Sequence, residues 1–279
     1  MAQILKKEQL SGAAWRFRLN APAIAKKRKA GQFIILRPLA DSERIPLTIA
    51  NADAAAGWIE IIFQAVGKTT MQLRDLKVMD SVLDLAGPLG NPTHVENFGK
   101  ALCIGGGVGA APLYPIISGL FKAGNDVTSI IGARSSDLII LKDDIAASSS
   151  RLFIATDDGS QGTKGFVSDV FKSLIQSGEH FDAAFVIGPP VMMKAACSLT
   201  VAAGIKTYAS LNPIMIDGTG MCGCCRVTVG GQTRFACVEG PEFDASQIEW
   251  DEMILRLGGY KEFENKAREE HACRLESVQ

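Results

Sequence analysis

Cysteine residues are concentrated in one short stretch of the chain. Four of the seven cysteines fall between positions 222 and 237, with glycines among them. Glycine permits tight turns and close approach of backbone N–H groups, so closely spaced thiols among glycines are typical of a metal-binding loop. The plant-type [2Fe–2S] pattern is C-x4-C-x2-C followed by a distant cysteine. Asp217, Cys222 and Cys225 occupy these offsets and Cys237 is the distant fourth, so the sequence predicts a [2Fe–2S] cluster with one carboxylate ligand.

Three other interpretations compete with this one. A structural zinc site needs four nitrogen or sulfur ligands, often as paired C-x2-C motifs, but only one such pair is present and no histidine lies near it. A disulfide needs an oxidising compartment, whereas the segment MAQILKKEQL lacks the apolar core of a signal peptide and favours the cytoplasm. Cys224 could replace Asp217 as the fourth ligand. Because Cys224 adjoins Cys225 and neighbouring residues rarely point at the same iron, we favour Asp217.

The composition limits the class of protein. A chain of 279 residues is long enough for two or three domains. Hydrophobic residues make up 47% and charged residues 21%, and no apolar run reaches the roughly 18 residues that cross a bilayer. A net charge of −1 leaves no broad basic face for nucleic acid. We therefore expect a soluble, cytoplasmic protein that binds neither membrane nor nucleic acid.

The first part of the chain has the pattern of a small antiparallel β-barrel. Short runs such as Trp15–Leu19, Phe33–Leu36 and Trp58–Phe63 alternate or contain β-branched and aromatic residues, and Pro, Gly and Asn separate them. Arg44-Ile-Pro46-Leu47-Thr48 then places a guanidinium, a rigid residue and a hydroxyl at the start of a strand. Such a group can hold a pyrophosphate through a bidentate Arg while the hydroxyl and the backbone contact a ring system.

A second phosphate-binding candidate lies at the start of the next predicted helix. Val66-Gly67-Lys68-Thr69-Thr70 places glycine and hydroxyls at a helix N-terminus, which suits phosphate. The alternative is that Thr69 simply caps the helix, but the nearby Arg44–Thr48 segment favours the phosphate role. Gln64, at the end of the preceding strand, is included among the candidate cofactor-binding residues.

Beyond the barrel the pattern changes to alternating strands and helices. Ala101–Ile104, Val127–Ile131, Leu152–Ala155 and Ala184–Ile187 are apolar, β-rich runs separated by helical segments. This alternation predicts a Rossmann-like domain with a parallel sheet.

Loops at the carboxyl ends of these strands could bind a dinucleotide. Gly105-Gly106-Gly107-Val108-Gly109 lies between a strand and its helix, where a pyrophosphate meets backbone N–H groups and the helix dipole. It is not a strict G-x-G-x-x-G, and a lone glycine loop is as often only a tight turn. Gly188-Pro189-Pro190-Val191-Met192 follows another strand in the same way, which strengthens the interpretation because open α/β sheets bind ligands at this edge. Asp157, after a third strand, could bind ribose hydroxyls or cap the next turn.

The order of these motifs resembles the ferredoxin–NADP reductase superfamily over nearly the whole chain. Within it, the loop with Asp217 and the three cysteines is similar to two groups of small electron-transfer subunits. These belong to dihydroorotate dehydrogenase and to NADH-dependent reduced ferredoxin:NADP oxidoreductase, whose small (alpha) subunit is also called the sulfide dehydrogenase beta subunit. The dihydroorotate relatives have four cysteines at the cluster, so Asp217 fits the second group, as do Phe235–Asp244 and Glu249–Glu252.

The resemblance implies a set of cofactors and a function. FAD would lie on the barrel near Thr48, NAD(H) over the glycine loops, and the cluster would face a larger flavin and iron–sulfur subunit. NADP(H) is an alternative, because Arg134 and the serines after it could accept a 2′-phosphate. The implied activity is an oxidoreductase that couples NADH, NADP and ferredoxin, the last through the partner, by electron bifurcation, with no acid–base triad. The alternatives are a dihydroorotate dehydrogenase electron-transfer subunit and a non-catalytic, redox-sensing nucleotide-binding module.

These inferences combine into an expected architecture of all-β and α/β parts. We expect an antiparallel FAD-binding barrel at 1–97, a Rossmann-like nucleotide domain at 98–210, a [2Fe–2S] segment at 211–245 and a charged helical tail at 246–279.

Overall fold

Seven antiparallel strands and two short helices form the N-terminal part of the computed structural model, which describes residues 1–276. Their order in the sheet is β6-β1-β2-β5-β4-β3-β7, so β6 and β7 lie at opposite edges although only Leu83 separates them in the chain. The sheet must therefore curl into a nearly closed barrel. The elements are β1 (Ala2–Gln9), β2 (Ala14–Asn20), α1 (Pro22–Lys27), β3 (Phe33–Arg37), β4 (Ile45–Asp53), β5 (Trp58–Gln64), α2 (Lys68–Asp75), β6 (Ser81–Val82) and β7 (Asp84–Leu89).

The alternation of side chains in β5 explains why the barrel forms and what it packs against. Ile59, Ile61 and Phe63 are buried in the barrel core, and fully burying each such side chain contributes about 1.5–3 kcal/mol. Ile62 points the opposite way, because successive residues of a strand face opposite sides. It packs instead in a core shared with the nucleotide domain.

The second sheet has the order β11-β10-β9-β8-β12-β13-β16. From β11 to β13 every pairing is parallel. The chain order reverses between β8 and β12, and this switch point is where open α/β sheets bind ligands. The elements are β8 (Lys100–Gly106), α3 (Ala110–Lys122), β9 (Asp126–Ala133), α4 (Lys142–Ala146), β10 (Arg151–Thr156), β11 (Thr163–Lys164), α5 (Val167–Gln176), β12 (Ala183–Ile187), α6 (Pro190–Ala202) and β13 (Lys206–Ser210).

Polar contacts also join the barrel to the nucleotide domain. Arg16 in β2 reaches Asp144 in α4 at 3.4 Å and Glu60 in β5 at 3.5 Å. Glu60 is almost fully buried and also pairs with Arg18 at 3.0 Å. Arg16 therefore links a buried carboxylate of the barrel to a carboxylate of the nucleotide domain.

The C-terminal segment returns to the nucleotide domain after the cysteine loop. A hairpin of β14 and β15 turns at Gly230-Gly231, both with positive φ, as a two-residue hairpin turn requires. β16 then pairs antiparallel with β13 and closes one edge of the sheet. The elements are β14 (Arg226–Val229), β15 (Gln232–Phe235), β16 (Glu242–Asp244), α7 (Trp250–Gly258) and α8 (Lys261–Glu276).

The predicted barrel and the parallel α/β sheet are confirmed. Helix α3 begins at Ala110, directly after the glycine loop, and Lys26 and Lys27 form the last turn of α1. In residues 1–276 no helix is long and apolar enough to cross a membrane. The domain boundaries stay predictions. Residues 277–279 of the expected tail at 246–279 lie outside the described residues.

Candidate functional site

A cavity of about 940 Å³ lies between the barrel, the nucleotide sheet and the C-terminal segment. It brings together most of the residues that the sequence predicts to bind cofactors. On the barrel side these are Pro46, Leu47, Thr48, Gln64 and Thr70. On the sheet side they are Gly106, Gly107, Gly109, Asp157, Gly188, Pro189 and Met192. Arg44, Gly67, Thr69 and Gly105 are not among the cavity residues.

Two paired strands form part of the barrel wall of the cavity. Thr48 in β4 lies opposite Phe33 in β3, and both residues line the cavity. Phe33 is buried, so its position in the wall is fixed by core packing. Phe33 was predicted only as part of a strand and not as a site residue, although its position across the strand pair from Thr48 could have indicated it.

The N-terminus of α2 separates the roles of two adjacent threonines. Thr70 lines the cavity, and its hydroxyl accepts from Gly67 N–H at 3.0 Å and donates to the Gly67 carbonyl at 2.9 Å. The Thr69 hydroxyl is buried and accepts from Glu43 N–H at 3.2 Å. Thr69 therefore anchors the chain beside Arg44, while Thr70 caps the helix end that faces the cavity.

Arg44 lies outside the main cavity. Its side chain is 45% exposed and approaches Asp84 at 3.6 Å. It lines a second, smaller cavity of about 290 Å³ together with Arg37, which contacts the same carboxylate at 2.6 Å. An ion pair this exposed holds a side chain weakly, so the guanidinium is free to turn toward a phosphate.

The two glycine loops of the nucleotide domain are in contact with each other. A Cβ atom at Gly106 would lie 2.7 Å from Met192 Sδ, and one at Gly109 would lie 2.6 Å from the Ile187 carbonyl oxygen. Gly107, with φ of +56°, has open space beside it and lines the cavity. Gly105 packs instead on Leu113 of α3. The glycines thus allow two strand ends to meet and leave backbone exposed to a ligand.

The outer end of the cavity contains one acidic and one basic side chain. Asp157 and Arg134 both line it, together with the ring of Phe166, which is 61% exposed. The neighbouring Asp158 carboxylate instead accepts from Ser160 N–H and Oγ at 2.9 and 2.6 Å, and these bonds lower the pKa of Asp158. Of the two acids, Asp157 is therefore the one available to a ribose.

The cysteine loop orients its acid through backbone hydrogen bonds. The Asp217 carboxylate accepts from Thr219 N–H at 2.7 Å and from Cys222 N–H at 2.9 Å. These bonds hold the pKa of Asp217 below its ordinary value, and the bond from Thr219 has the largest effect. The carboxylate is thus charged and lies beside Cys222.

The remaining thiols have unequal surroundings. Cys225 and Cys237 are buried with their sulfur atoms 3.2 Å apart, and all six cysteines in the described side chains are free. Burial, then the neighbouring Cys225, raises the pKa of Cys237 to about 12. Burial and the adjacent Cys222 thiol raise the pKa of Cys224. The predicted ligands therefore form two pairs, Asp217 with Cys222 and Cys225 with Cys237.

The paired arrangement decides which metal group the loop fits. A structural zinc needs four ligands around one point, whereas a binuclear cluster takes two protein ligands at each iron. The loop therefore fits a two-iron cluster better than a zinc ion.

Part of the cavity wall comes from residues that were not predicted to belong to the site. Ser210 ends β13, Leu211, Asn212 and Met215 connect β13 to the cysteine loop, and Pro241 precedes β16. The first three lie at the carboxyl end of a parallel strand, a position where ligand contacts are expected. No comparable signal marked Pro241.

Comparison with known proteins agrees with this arrangement. The iron–sulfur cluster binding domain of dihydroorotate dehydrogenase B matches residues 212–249, and the oxidoreductase NAD-binding domain matches residues 103–198. The dihydroorotate dehydrogenase B (NAD(+)) electron transfer subunit homolog of Thermotoga maritima is 44% identical over 262 residues, which cover 94% of this chain and 92% of that protein. The corresponding electron transfer subunit of Bacillus caldolyticus is 33% identical over 82% of this chain and 90% of its own length.

A solved structure is also similar along its whole length. It comes from work on flavin-based electron bifurcation by the NADH-dependent reduced ferredoxin-NADP oxidoreductase. Its chain is 42% identical, the match covers 97% of both chains, and the TM-score is 0.92.

The barrel, the parallel sheet and the cavity between them define an oxidoreductase subunit with the ferredoxin–NADP reductase fold. The chain belongs to the family of dihydroorotate dehydrogenase B electron-transfer subunits. The predicted superfamily, the oxidoreductase class, the NAD-binding domain and the iron–sulfur-binding segment are confirmed.

Proposed function

We propose that this chain carries electrons between NAD(H), FAD and a [2Fe–2S] cluster as the small subunit of an electron-bifurcating, NADH-dependent reduced ferredoxin:NADP oxidoreductase. It would act in the cytoplasm beside a larger flavin and iron–sulfur subunit that contacts ferredoxin. The observation that carries the proposal is the single cavity, which joins Thr48 of the barrel, Gly106 of the nucleotide sheet and Met215 of the cluster segment.

The cavity supports the proposal because it places three binding surfaces within one space. A flavin exchanges a hydride with nicotinamide and single electrons with an iron–sulfur cluster, so it links the two kinds of carrier. Phe33 and Thr48 would offer an apolar contact and a hydroxyl to a ring system, and the loop at Gly106 and Gly107 would offer exposed backbone to a pyrophosphate. The chain's own task is to bind, orient and enclose these groups.

The cluster ligands that we propose follow the two pairs in the loop. Asp217 and Cys222 would hold one iron, and Cys225 and Cys237 the other. Support comes from the 3.2 Å between the sulfur atoms of Cys225 and Cys237 and from the hydrogen bond between Asp217 and Cys222 N–H. Cys224 would remain outside the cluster.

The second candidate is the electron-transfer subunit of a dihydroorotate dehydrogenase. The matched iron–sulfur domain and the names of the relatives favour it. Asp217, where the sequence resemblance implies cysteine in that group, favours the bifurcating enzyme, as does the similarity to the solved NADH-dependent oxidoreductase.

Two measurements test the proposal. The anaerobically purified chain should contain one FAD, two irons and two sulfides, and NADH should bleach both the flavin and the cluster absorbance. The complex of the chain with its co-expressed large subunit should then reduce NADP with NADH and reduced ferredoxin together, and should not oxidise dihydroorotate. Dihydroorotate-dependent NAD reduction would select the second candidate. Bound cofactors with no NADH oxidation, even with artificial acceptors, would favour the redox-sensing module.

A further inference from the structure

The cluster loop rests directly on the barrel at Gly218. Gly218 is buried and has a φ of +75°. A Cβ atom added to it would lie 2.6 Å from Leu89 Cδ1 and 3.0 Å from Ile35 Cγ1. Non-bonded carbon atoms pack at about 3.5–4.0 Å. A side chain at position 218 therefore requires Leu89, Ile35 or the loop itself to shift.

The strand beneath Gly218 also forms a wall of the cavity. Phe33 and Ile35 are two residues apart in β3 and project from the same face. Phe33 lines the cavity, while Ile35 contacts Gly218. At about 3.4 Å per residue, only about 7 Å of strand separates the cavity wall from the point where the loop contacts β3.

The loop is fixed at a second point, close to the first in sequence. Met215 is buried and lines the cavity. Asp217, one of the proposed cluster ligands, lies between Met215 and Gly218 in the chain. The segment that presents this ligand is thus held both by the burial of Met215 and by the contact of Gly218 with the barrel.

We propose that Gly218 is a positioning residue that sets the distance between the flavin and the iron–sulfur cluster. This inference rests on the proposed function. Because Gly218 has no side chain, the loop carrying Asp217 and Cys222 can lie on Leu89 and Ile35. With both groups bound, the reduced flavin would supply one electron to the oxidised cluster, and no bond to the protein would form or break. The rate of such a step falls steeply with distance, so a loop raised from the barrel slows it.

The chain offers a matched control for this test. Gly231, in the turn between β14 and β15, also has a positive φ, of +71°, but a Cβ there would meet no atom within 4 Å. Gly218→Ala and Gly231→Ala therefore both place a side chain at a positive φ, and only Gly218→Ala adds a clash. Leu89→Ala removes the closest clashing atom, so in the double variant Gly218→Ala/Leu89→Ala the loop should again lie against the barrel.

The experiment uses the complete protein with its cofactors. Rapid anaerobic mixing with NADH follows the flavin and cluster absorbances separately, and amide hydrogen exchange follows residues 216–223. We expect Gly218→Ala to retain the wild-type rate of flavin reduction, to slow cluster reduction severalfold and to speed exchange in the loop. Gly231→Ala should behave like the wild type, and the double variant should recover most of the cluster rate.

Each contrary outcome has a distinct meaning. If Gly218→Ala matches Gly231→Ala in cluster reduction and exchange, the positioning role is wrong. If Gly218→Ala loses iron, the double variant decides, because failure of Leu89→Ala to restore iron and rate also overturns the role. A wild-type chain that binds no flavin or no iron would instead refute the proposed function.

Discussion

Cys225 and Cys237, 12 positions apart in the chain, bring their sulfur atoms to 3.2 Å in a buried site. Two sulfurs this close suit two ligands of one iron, so Cys225→Ser and Cys237→Ser should each lose most of the cluster. Cys224→Ser should leave it almost unchanged. Iron content and the visible spectrum measure the result. A cluster lost in Cys224→Ser would show that the wrong cysteine has been assigned.

Asp217 should be the ligand that distinguishes this loop from an all-cysteine site. Asp217→Ala should weaken or remove the cluster, whereas Asp217→Cys should keep it at a more negative potential, because a thiolate donates more charge than a carboxylate. Potentiometric titration followed by electron paramagnetic resonance measures the shift. An Asp217→Ala protein with an unchanged spectrum and potential would contradict the assignment.

Arg44 should be required for flavin binding although it lies outside the main cavity. A methyl group cannot replace a guanidinium that faces pyrophosphate, so Arg44→Ala should be purified with little FAD and with its cluster intact. Arg74→Ala serves as the control, since Arg74 pairs with the neighbouring Asp75 at 2.7 Å. Flavin and iron measured on the same sample separate this loss from general unfolding, in which both would disappear.

NADH should be preferred over NADPH. The Asp157 carboxylate at the outer end of the cavity can accept hydrogen bonds from ribose hydroxyls and repels a 2′-phosphate. Asp157→Asn should therefore raise kcat/KM for NADPH relative to NADH in dye reduction, and Arg134→Ala should lower it. Asp158→Asn is the control, because that carboxylate is already bonded to Ser160. A wild-type preference for NADPH would overturn this prediction.

The stability of the folded state should decrease as the pH rises, because of Glu242. Its side chain accepts from Thr93 Oγ1 at 2.6 Å, and burial raises the pKa of Glu242 from 4.5 to about 7. The folded state then binds this proton more tightly than the unfolded state, so stability decreases as the pH rises from about 4.5 to 7. The loss is at most about 3.5 kcal/mol, since one pKa unit corresponds to about 1.4 kcal/mol.

Thermal unfolding against pH tests the role of Glu242. Glu242→Gln should raise Tm at pH 8 relative to the wild type and change it little at pH 4. The exposed Glu252→Gln is the control and should change neither value. An equal change in the Tm of Glu242→Gln at both pH values would contradict the linkage.

The sequence predicted those parts of the structure that depend on local pattern. Alternation in Trp58–Phe63 indicated a strand, and glycines after apolar runs marked the ends of β8 and β12. The contacts that sequence spacing does not contain were missed. Gly218 meets Leu89, and Pro241 reaches the cavity, only because distant segments pack together. The adjacent pair Thr69 and Thr70 could not be separated from sequence, because their roles depend on which hydroxyl faces the chain at Glu43.

The pairing of β16 with β13 has a consequence for how such proteins can be recombined. Residues 242–244 lie beyond all the proposed cluster ligands, yet they cover the outer strand of the nucleotide sheet. Cutting the chain after residue 210 would leave that strand with unpaired backbone groups, which promotes aggregation. The iron–sulfur segment therefore cannot be exchanged between proteins as an independent unit. A graft onto another reductase should carry β13 with it.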